Sequence, residues 1–431
     1  MQLRPTARAR LTLAIVALSV LAASCSSSSS SSTASSGGGA VPTPAMSATK
    51  TACPTATSCF TVGNIATIGG LVPGLFKGAL VGTDAYLAYV NAQGGVDGRK
   101  FRLISEDDQL NCNNNKAETQ SLINQGVLAI VGSFSLQDKC GGEVLAQNPS
   151  VPDIANVLDY GTNELPNVFS ATPLGRGFET GPLAYFAHKF PTAVQHVGTL
   201  VANIEPAPSE WAGEEAAMVH EGWKVVYQRQ YGPLETDFTQ DVLKMEAAGV
   251  QMVFLLTVDA NVAARFEQAA YAQGFHPQVT VFGASVYTED FAQQAGGPAV
   301  VDGDYLEMNN VLYLGEDAAA VPAVRTFLQW VHGLYPGFQA DLFTLYGWTN
   351  AELFVQALKL AGPDPTSASL MAVLRKVHTF TADGLIASGD PAAKAPPVCY
   401  LLARISGGKW SRVDTPPSGY RCDGTFYNSG T

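Results

Sequence analysis

Short apolar runs alternate with amphipathic stretches along most of the chain. Phe60–Ile65 has the length and composition of a strand, apolar residues then recur at helical spacing from Leu75 to Val90, and Gly94-Gly95 ends that predicted helix. Such alternation is typical of βαβ units built around a parallel sheet. The same series continues with a strand at Phe101–Ser105, a helix at Asn114–Asn124, and strands at Val127–Val131 and Val151–Ala155.

A second series of the same kind follows in the middle of the chain. Its predicted elements are strand Val197–Ala202, helix Glu210–His220, strand Lys224–Gln228, helix Phe238–Ala248, strand Met252–Thr257, helix Val262–Gln273 and strand Gln278–Phe282. Later come helices at Val321–Tyr335, Leu342–Ala361 and Ser367–Val377, then a hairpin of Val398–Ile405 and Lys409–Val413. This late block is too small for a third domain. We therefore expect it to complete two α/β lobes, with the chain crossing between them several times.

The N-terminal segment predicts export. Three arginines precede an apolar run, Leu11–Ala23, which has the length of a signal-peptide core and is short for a bilayer span. The run ends in Leu21-Ala22-Ala23-Ser24-Cys25, which resembles the lipobox of bacterial lipoproteins, although Ala22 stands where leucine is commonest. Residues 1–24 are therefore interpreted as a signal peptide and Cys25 as the lipid-attachment site. An ordinary secretory signal with an incidental cysteine is the alternative.

The segment after Cys25 is a predicted tether. Residues 26–32 are all serine, and serine, glycine, alanine, proline and threonine dominate up to about Lys50. Such a composition cannot bury a core, so we assign residues 25–52 to the lipidated cysteine and a flexible linker. The protein is expected to be exported and anchored to the outer face of the bacterial cytoplasmic membrane.

Size and charge narrow the class of protein. The chain has 431 residues, 46% of them hydrophobic and 14% charged, which suits a folded protein of two domains. Its formal net charge is −12, and loss of the three signal-peptide arginines would bring it to −15. A surface this acidic repels phosphate backbones, so nucleic acid is excluded as a partner and membrane attachment must come from the anchor.

The cysteine count suggests disulfides. Of the seven cysteines, Cys25 is assigned to the lipid, which leaves an even set in an exported chain. Many pairings are compatible with six cysteines, and we favour the nearest-neighbour set: Cys53 with Cys59, Cys112 with Cys140, and Cys399 with Cys422.

Sequence motifs of enzymes are absent from the chain. The glycine-rich stretch 69–78 lacks the Lys-Ser/Thr end of a phosphate-binding loop, and Gly283-Ala284-Ser285 lacks the second glycine of a nucleophile elbow. The six histidines form no HExxH and no i,i+4 pair, so no metal or cofactor is expected. Asp107 and Asp108 are adjacent and are expected to lie in a solvated loop rather than to form an acid–base pair.

Several motifs, in a fixed order, resemble one known family. The most diagnostic is VNAQGGVDGRK at residues 90–100, followed by Asp107-Asp108. Further matches are Tyr231-Gly232 with Thr236-Asp237-Phe238, Asp302-Gly303, and FTLYGW at 343–348 with Ala351, Ala357-Leu358 and Ala361-Gly362. From about Phe60 to Val413 the chain resembles type I periplasmic binding proteins of the branched-chain amino acid and amide group.

The resemblance implies two Rossmann-like lobes joined by a three-strand hinge, with a ligand in the cleft between them. Crossovers are expected near Ser170–Pro173, Val301–Tyr305 and Thr381–Leu385. Lobe 1 would then comprise residues 53–172 and 304–380, and lobe 2 residues 173–303 and 381–431. Some relatives also link the loops after the second and third strands by a disulfide, which supports the pairing of Cys112 with Cys140.

Candidate ligand-binding residues follow from the same resemblance. Amino-acid-binding relatives carry a serine after the third strand where this chain has Leu136, so Ser133 and Ser135 are the nearby candidates. In the second lobe, the place where such relatives often carry an acid for the ligand's amino group holds Ser285. The remaining candidates are Asn156, Asp159, Trp211, Tyr287 and Tyr346, each of which has a helix-capping, solvated-loop or core-packing alternative.

The function that the resemblance implies is solute capture for an ABC importer. The expected ligand is a small polar solute of the amino acid, amide or carboxylate type, and the expected partners are a membrane permease and its ATPase. The protein is expected to be a monomer and not an enzyme. Two alternatives stay open: a ligand-sensing receptor with the same fold, and a lipoprotein that has lost its pocket.

Overall fold

A computed structural model describes residues 59–413 and 418–430. Its smaller sheet consists of five parallel strands. They are β1 (Cys59–Ala66), β2 (Lys100–Asp107), β3 (Ile130–Val131), β4 (Asp153–Ile154) and β5 (Val168–Phe169). The strand order is β2-β1-β3-β4-β5, and the central strands are buried on both faces because helices cover them.

The larger sheet lies in the second half of the chain and is mixed. It contains β7 (Val197–Ala202), β8 (Val225–Tyr231), β9 (Met252–Leu255), β10 (Val279–Gly283), β11 (Tyr305–Met308), β12 (Leu401–Ser406) and β13 (Lys409–Arg412). The order is β13-β12-β11-β10-β9-β7-β8, and β12 and β13 form the predicted antiparallel hairpin at one edge. Two short strands, β6 (Gly177–Glu179) and β14 (Phe426–Asn428), pair separately.

The helices pack on these sheets in two groups. The smaller sheet carries α1 (Lys77–Ala92), α2 (Cys112–Asn124), α3 (Asp138–Gln147), α4 (Tyr160–Asn163), α10 (Pro322–Leu334), α11 (Leu342–Leu360) and α12 (Ser367–Leu374). The larger sheet carries α5 (Thr180–Lys189), α6 (Ala207–His220), α7 (Thr239–Ala247), α8 (Ala260–Gln273) and α9 (Phe291–Gln294). We call the smaller sheet with its helices lobe 1 and the larger sheet with its helices lobe 2. The predicted class of two α/β lobes is confirmed.

Two glycines allow α1 and α11 to pack backbone against backbone. A Cβ on Gly82 would lie 1.9 Å from the carbonyl oxygen of Thr344, and one on Gly347 would lie 2.1 Å from that of Ala79. The predicted late helix therefore joins lobe 1 through a contact that only glycine permits. Its first turn is fixed by a capping box, in which Asp341 and Thr344 exchange side-chain hydrogen bonds with each other's backbone N–H.

Three chain segments pass between the lobes and lie side by side. The N–H of Ala387 donates to the carbonyl of Asn309 at 2.7 Å, and that of Val311 donates to Leu385 at 3.0 Å. Gly389 lies beside the first segment, since a Cβ there would be 3.2 Å from the carbonyl oxygen of Ala171. The middle crossing lies later in the chain than predicted. Lobe 1 was expected to resume at residue 304, but β11 pairs within the larger sheet, so the chain leaves lobe 2 only after residue 308.

Two of the three predicted disulfides lie within the described residues and are confirmed. Cys112 at the start of α2 is bonded to Cys140 in α3, and Cys399 is bonded to Cys422. Cys59 is disulfide-bonded as well. The pairing of Cys53 with Cys59 stays a prediction because residue 53 lies outside the described range, as do the signal peptide, Cys25 and the tether. None of the helices in residues 59–413 and 418–430 is long and apolar enough to span a membrane.

Candidate functional site

A cavity of about 300 Å³ lies between the two lobes. Asn156 follows β4 and contributes a wall from lobe 1, while Leu256 follows β9 and Ser285 follows β10 on the side of lobe 2. All three residues lie within two positions of the carboxyl ends of parallel strands. This is where ligands bind in open α/β folds, because the strand ends leave a crevice between neighbouring connections.

The segments that cross between the lobes also line this cavity. The first contributes Thr172 to Gly175, the second contributes Met308 and Asn309, and the third contributes Pro396 and Pro397. A rotation of one lobe against the other would therefore change the cavity's shape and its access to solvent.

Four glutamates line the cavity, and we call them the glutamate cluster: Glu179, Glu210, Glu214 and Glu307. Glu214 and Glu307 are buried, with 8% and 6% of their surfaces exposed, and Glu210 is half-buried. Glu210 and Glu214 are one turn apart on α6 and so share a helix face. Glu179 ends β6, and α6 packs closely on that strand: a Cβ on Gly213 would lie 2.9 Å from the backbone nitrogen of Gly177.

The glutamate cluster holds protons more tightly than ordinary carboxyl groups do. Burial raises the pKa of Glu179 to about 7, and burial together with repulsion from Asp138 and Glu205 raises the pKa of Glu210 to about 7. The pKa values of Glu214 and Glu307 are raised well above the ordinary range, first by burial and then by the charges of their neighbours in the cluster. The site therefore favours either bound protons or a bound positive charge over four free carboxylates.

Aromatic rings form part of the cavity wall. Phe134 packs against Phe343 with ring centroids 5.0 Å apart and stacks on Tyr346 at 5.9 Å. Tyr160, Phe178 and Phe426 also belong to the aromatic lining. The faces of such rings are weakly negative, so they attract cations and also pack well against apolar groups.

A second cavity, of about 240 Å³, shares part of its wall with the first. The shared residues include Phe134, Glu210 and Ser285. The remainder of its lining is mainly apolar and comprises Leu75, Phe76, Leu110, Leu136, Tyr231 and Val262 among others. The space between the lobes therefore has an acidic compartment beside an apolar one.

Three of the eight predicted ligand-binding residues line the 300 Å³ cavity: Asn156, Ser285 and Tyr346. The side chain of Asn156 donates to Thr172 and accepts from Asn350, and the hydroxyl of Ser285 donates to the carbonyl of Val258 at 2.7 Å. These hydrogen bonds orient the two side chains without a ligand.

Ser133 and Ser135 lie behind the cavity wall, within lobe 1. The hydroxyl of Ser133 accepts a hydrogen bond from the N–H of Ile65 at 3.0 Å. Ser135 donates to the carboxylate of Asp108 and accepts from the N–H of Gln137. Asp108 is fully buried, so the solvated loop expected there is wrong, and both serines have structural partners instead of facing the space between the lobes.

The remaining three predicted residues have the alternative roles that the sequence allowed. Asp159 caps α4 by accepting from the N–H of Thr162 at 2.8 Å. Trp211 is packed in the core of lobe 2, and Tyr287 is fully buried with its hydroxyl donating to the carboxylate of Glu316. None of these three side chains lines the 300 Å³ cavity between the described lobes.

Sequence reasoning missed the glutamate cluster, although two signals were present. Glu307 is the one charged residue in the short apolar strand β11. A charged residue in a buried strand is rare unless it has a partner or a function. Glu210 and Glu214 repeat at i,i+4 near the start of a helix that follows a strand. Glu179 carries no comparable local signal.

The fold and the site together define a two-lobed binding protein whose ligand cavity lies at the hinge. The comparison with known families agrees with this class. Residues 60–409 match the family described as periplasmic binding protein, and the chain belongs to that family. Its members are solute-binding proteins rather than enzymes, and they act outside the cytoplasm.

Individual relatives are distant in sequence and similar in fold. A Leu/Ile/Val-binding protein homolog from Brucella abortus is 23% identical over 296 residues, which cover 66% of this chain and 73% of that protein. A branched-chain amino acid ABC transporter structure from Thermus thermophilus with bound valine is 15% identical. It has a TM-score of 0.71, and the match covers 82% of this chain and 95% of that one. A fatty acid ABC transporter substrate-binding protein from Thermomonospora curvata is 17% identical. It has a TM-score of 0.70, and the match covers 84% of this chain and 92% of that one.

Proposed function

We propose that this protein captures a small solute outside the cell for an ABC importer and closes its lobes around it. The observation that carries the proposal is the position of the cavity, which is lined by both lobes and by all three segments that join them. A ligand there contacts both lobes only in the closed arrangement, so its binding energy favours closure. A permease can then recognise the closed, loaded form.

The relatives support the transport role. The names of the structural neighbours describe substrate-binding components of ABC transporters, with bound valine in one and 4-hydroxybenzoate in another. The sequence resemblance implies a small polar solute of the amino acid, amide or carboxylate type, and the charge of the cavity is a separate guide to which small polar solute binds. A lipid on Cys25 would keep the protein beside its permease, with residues 26–52 as the tether.

Cross-linking in intact cells tests the transport role. Tagged full-length protein would be cross-linked in its native membrane, purified in detergent and subjected to mass spectrometry, with an untagged strain as the control. Enrichment of an ABC permease and its ATPase is the expected result. Enrichment of a sensor kinase or chemoreceptor without any permease would contradict it and support the sensing alternative.

A further inference from the structure

No basic side chain in the described lining of the cavity balances the acidic glutamate cluster. Lysine, arginine and histidine are all missing from its lining in the described part of the chain, whereas four glutamates are present. Arg176 adjoins the lining in sequence, but its guanidinium stacks on the ring of Tyr160 at 4.4 Å and pairs with Glu164 at 3.2 Å. That arginine therefore has an acidic partner outside the glutamate cluster.

Two carboxyl oxygens of the cluster are buried without a hydrogen-bond partner. They are Oε2 of Glu214 and Oε1 of Glu307, on side chains that are more than nine-tenths buried and that line the cavity. A buried carboxyl oxygen without a partner is unfavourable, so such atoms indicate a group that the folded protein is built to receive. A ligand that donates hydrogen bonds and carries positive charge satisfies both atoms.

The spacing of the cluster disfavours a metal ion. Within residues 59–413 and 418–430, no three acidic, histidine or cysteine side chains converge closely enough to hold one. The carboxyl groups are instead spread around a space of about 300 Å³, which is large enough for an organic molecule. The aromatic rings of Phe134 and Tyr346 add surfaces that attract an organic cation.

We propose that the cavity binds an organic cation that carries an amine or guanidinium group and no carboxylate. Its charged group lies among the glutamates, donating to Glu214 and Glu307, and its apolar part extends into the adjoining 240 Å³ compartment. A ligand carboxylate in the same space would meet four acidic groups and no basic side chain, which disfavours simple amino acids and carboxylic acids. This inference rests on the proposed role in solute binding and replaces the amino acid, amide or carboxylate ligand expected from the sequence with an organic cation.

Matched small molecules test the charge requirement directly. The probes are 3-methylbutylamine, phenethylamine and 1,4-diaminobutane. Leucine and phenylalanine are the first comparison compounds, because they are 3-methylbutylamine and phenethylamine with a carboxylate added. 4-Methylpentanoate and 3-methylbutanol are the second, because they replace the amine of 3-methylbutylamine with a carboxylate and a hydroxyl. Binding to full-length protein in detergent is measured by titration calorimetry. We expect at least one amine to bind about tenfold more tightly than its carboxylate-bearing counterpart.

Charge-removing variants connect the binding to the cluster. Glu214→Gln and Glu307→Gln should each weaken amine binding by about tenfold. Glu267→Gln is the matched control, since Glu267 is another buried glutamate with an unpartnered oxygen but lies on α8 outside the cavity lining. The control should leave the affinity within about twofold. If the buried variants fold poorly, Glu210→Gln at the half-buried position should still weaken binding.

Each outcome has a defined meaning. Failure of all three amines to bind overturns the inference, as does tighter binding of leucine or 4-methylpentanoate. Equal loss of affinity in Glu214→Gln and Glu267→Gln also overturns it, because the effect would then come from the core. None of these results alters the cross-linking test, which decides the importer role separately.

Discussion

The side-chain amide of Asn350 on α11 donates a hydrogen bond to the side-chain oxygen of Asn156, which lines the cavity. The oxygen of Asn350 also accepts from the N–H of Ala171 at 3.0 Å, in the first segment that crosses between the lobes. One buried side chain therefore links the late helix of lobe 1, the cavity wall and the hinge.

Replacing Asn350 with Leu should destabilise the protein and weaken ligand binding. The change leaves the N–H of Ala171 and the oxygen of Asn156 without partners, so we expect the free energy of unfolding to fall by about 1–3 kcal/mol. Denaturant unfolding and calorimetry measure the two effects. Asn261→Ala, on the exposed side of α8, is the control. An unchanged unfolding free energy in the Leu variant would show that the network contributes little.

The unliganded protein should lose stability as the pH rises from 5 to 8. Burial raises the pKa values of the glutamate cluster, so its contribution to stability is fully present below the ordinary carboxyl pKa and is lost as the pH passes through the raised values. A tenfold tighter hold on one proton in the folded state corresponds to about 1.4 kcal/mol of stability. The other titratable groups that line the cavity are Tyr160 and Tyr346, and Arg176, Asp138 and Glu205 lie close enough to act on them or on the cluster.

Glutamine variants separate this effect from that of other buried acids. The double variant Glu214→Gln and Glu307→Gln should be more stable than the wild type at pH 8 and should depend less on pH, as measured by denaturant unfolding across the range. Glu246→Gln, at an exposed position of α7, should follow the wild-type curve. If the double variant keeps the full pH dependence, the cluster is not its source.

Replacing Gly347 with Ala should destabilise lobe 1. The added Cβ would lie 2.1 Å from the carbonyl oxygen of Ala79, and neither backbone can move without separating α1 from α11. Overpacking of this kind lowers the free energy of unfolding by about 1–3 kcal/mol or more. Gly232→Ala is the control, because nothing lies within 4 Å of a Cβ at that position. Equal melting temperatures for the two variants would contradict the proposed helix contact.

Removing the disulfide between Cys112 and Cys140 should lower stability by roughly 2–4 kcal/mol, since the bond closes a loop and restricts the unfolded chain. The double alanine variant and the wild type would be compared by denaturant unfolding under oxidising conditions. Under reducing conditions their difference should disappear, and a difference that persists would assign the loss to packing instead.

Replacing Cys25 with Ala should release the protein from the membrane. The lipid can attach only to the cysteine thiol, and the tether that follows has no apolar segment to hold the chain. Fractionation with and without detergent measures the release, and Ser24→Ala serves as the control because it keeps the thiol. A Cys25→Ala protein that still requires detergent would contradict the lipoprotein interpretation.

Local patterns were sufficient for much of the architecture. The spacing of apolar residues predicted the late helix Leu342–Ala361 to within one residue, and the hairpin predicted for Val398–Ile405 and Lys409–Val413 is present as β12 and β13. Both depend mainly on residues close together in the chain. The middle crossover was placed too early because local pattern does not show that β11 pairs in the larger sheet, between β10 on one side and β12, almost a hundred positions later, on the other.

Which of the predicted residues line the cavity depended far more on the tertiary structure. Ser135 has the residue type and strand-end position of a ligand contact, yet its hydroxyl is directed to the buried Asp108. Tyr346, another predicted ligand contact, does line the cavity, because one face of α11 closes it beside Phe134. Sequence alone could not distinguish the two cases, since each depends on which way a side chain points after the lobes are assembled.

The sequence by itself determined the class of this protein through a family-specific order of motifs and two α/β series that form two lobes. It also predicts an export signal. These features are local or sequential, so they survive without knowledge of distant contacts. Only the tertiary structure brought Glu179, Glu214 and Glu307 to one cavity, because a separate short strand, a helix and a strand of the larger sheet deliver them from distant parts of the chain. The charge of the binding site, and with it the class of ligand we propose, was decided at that level.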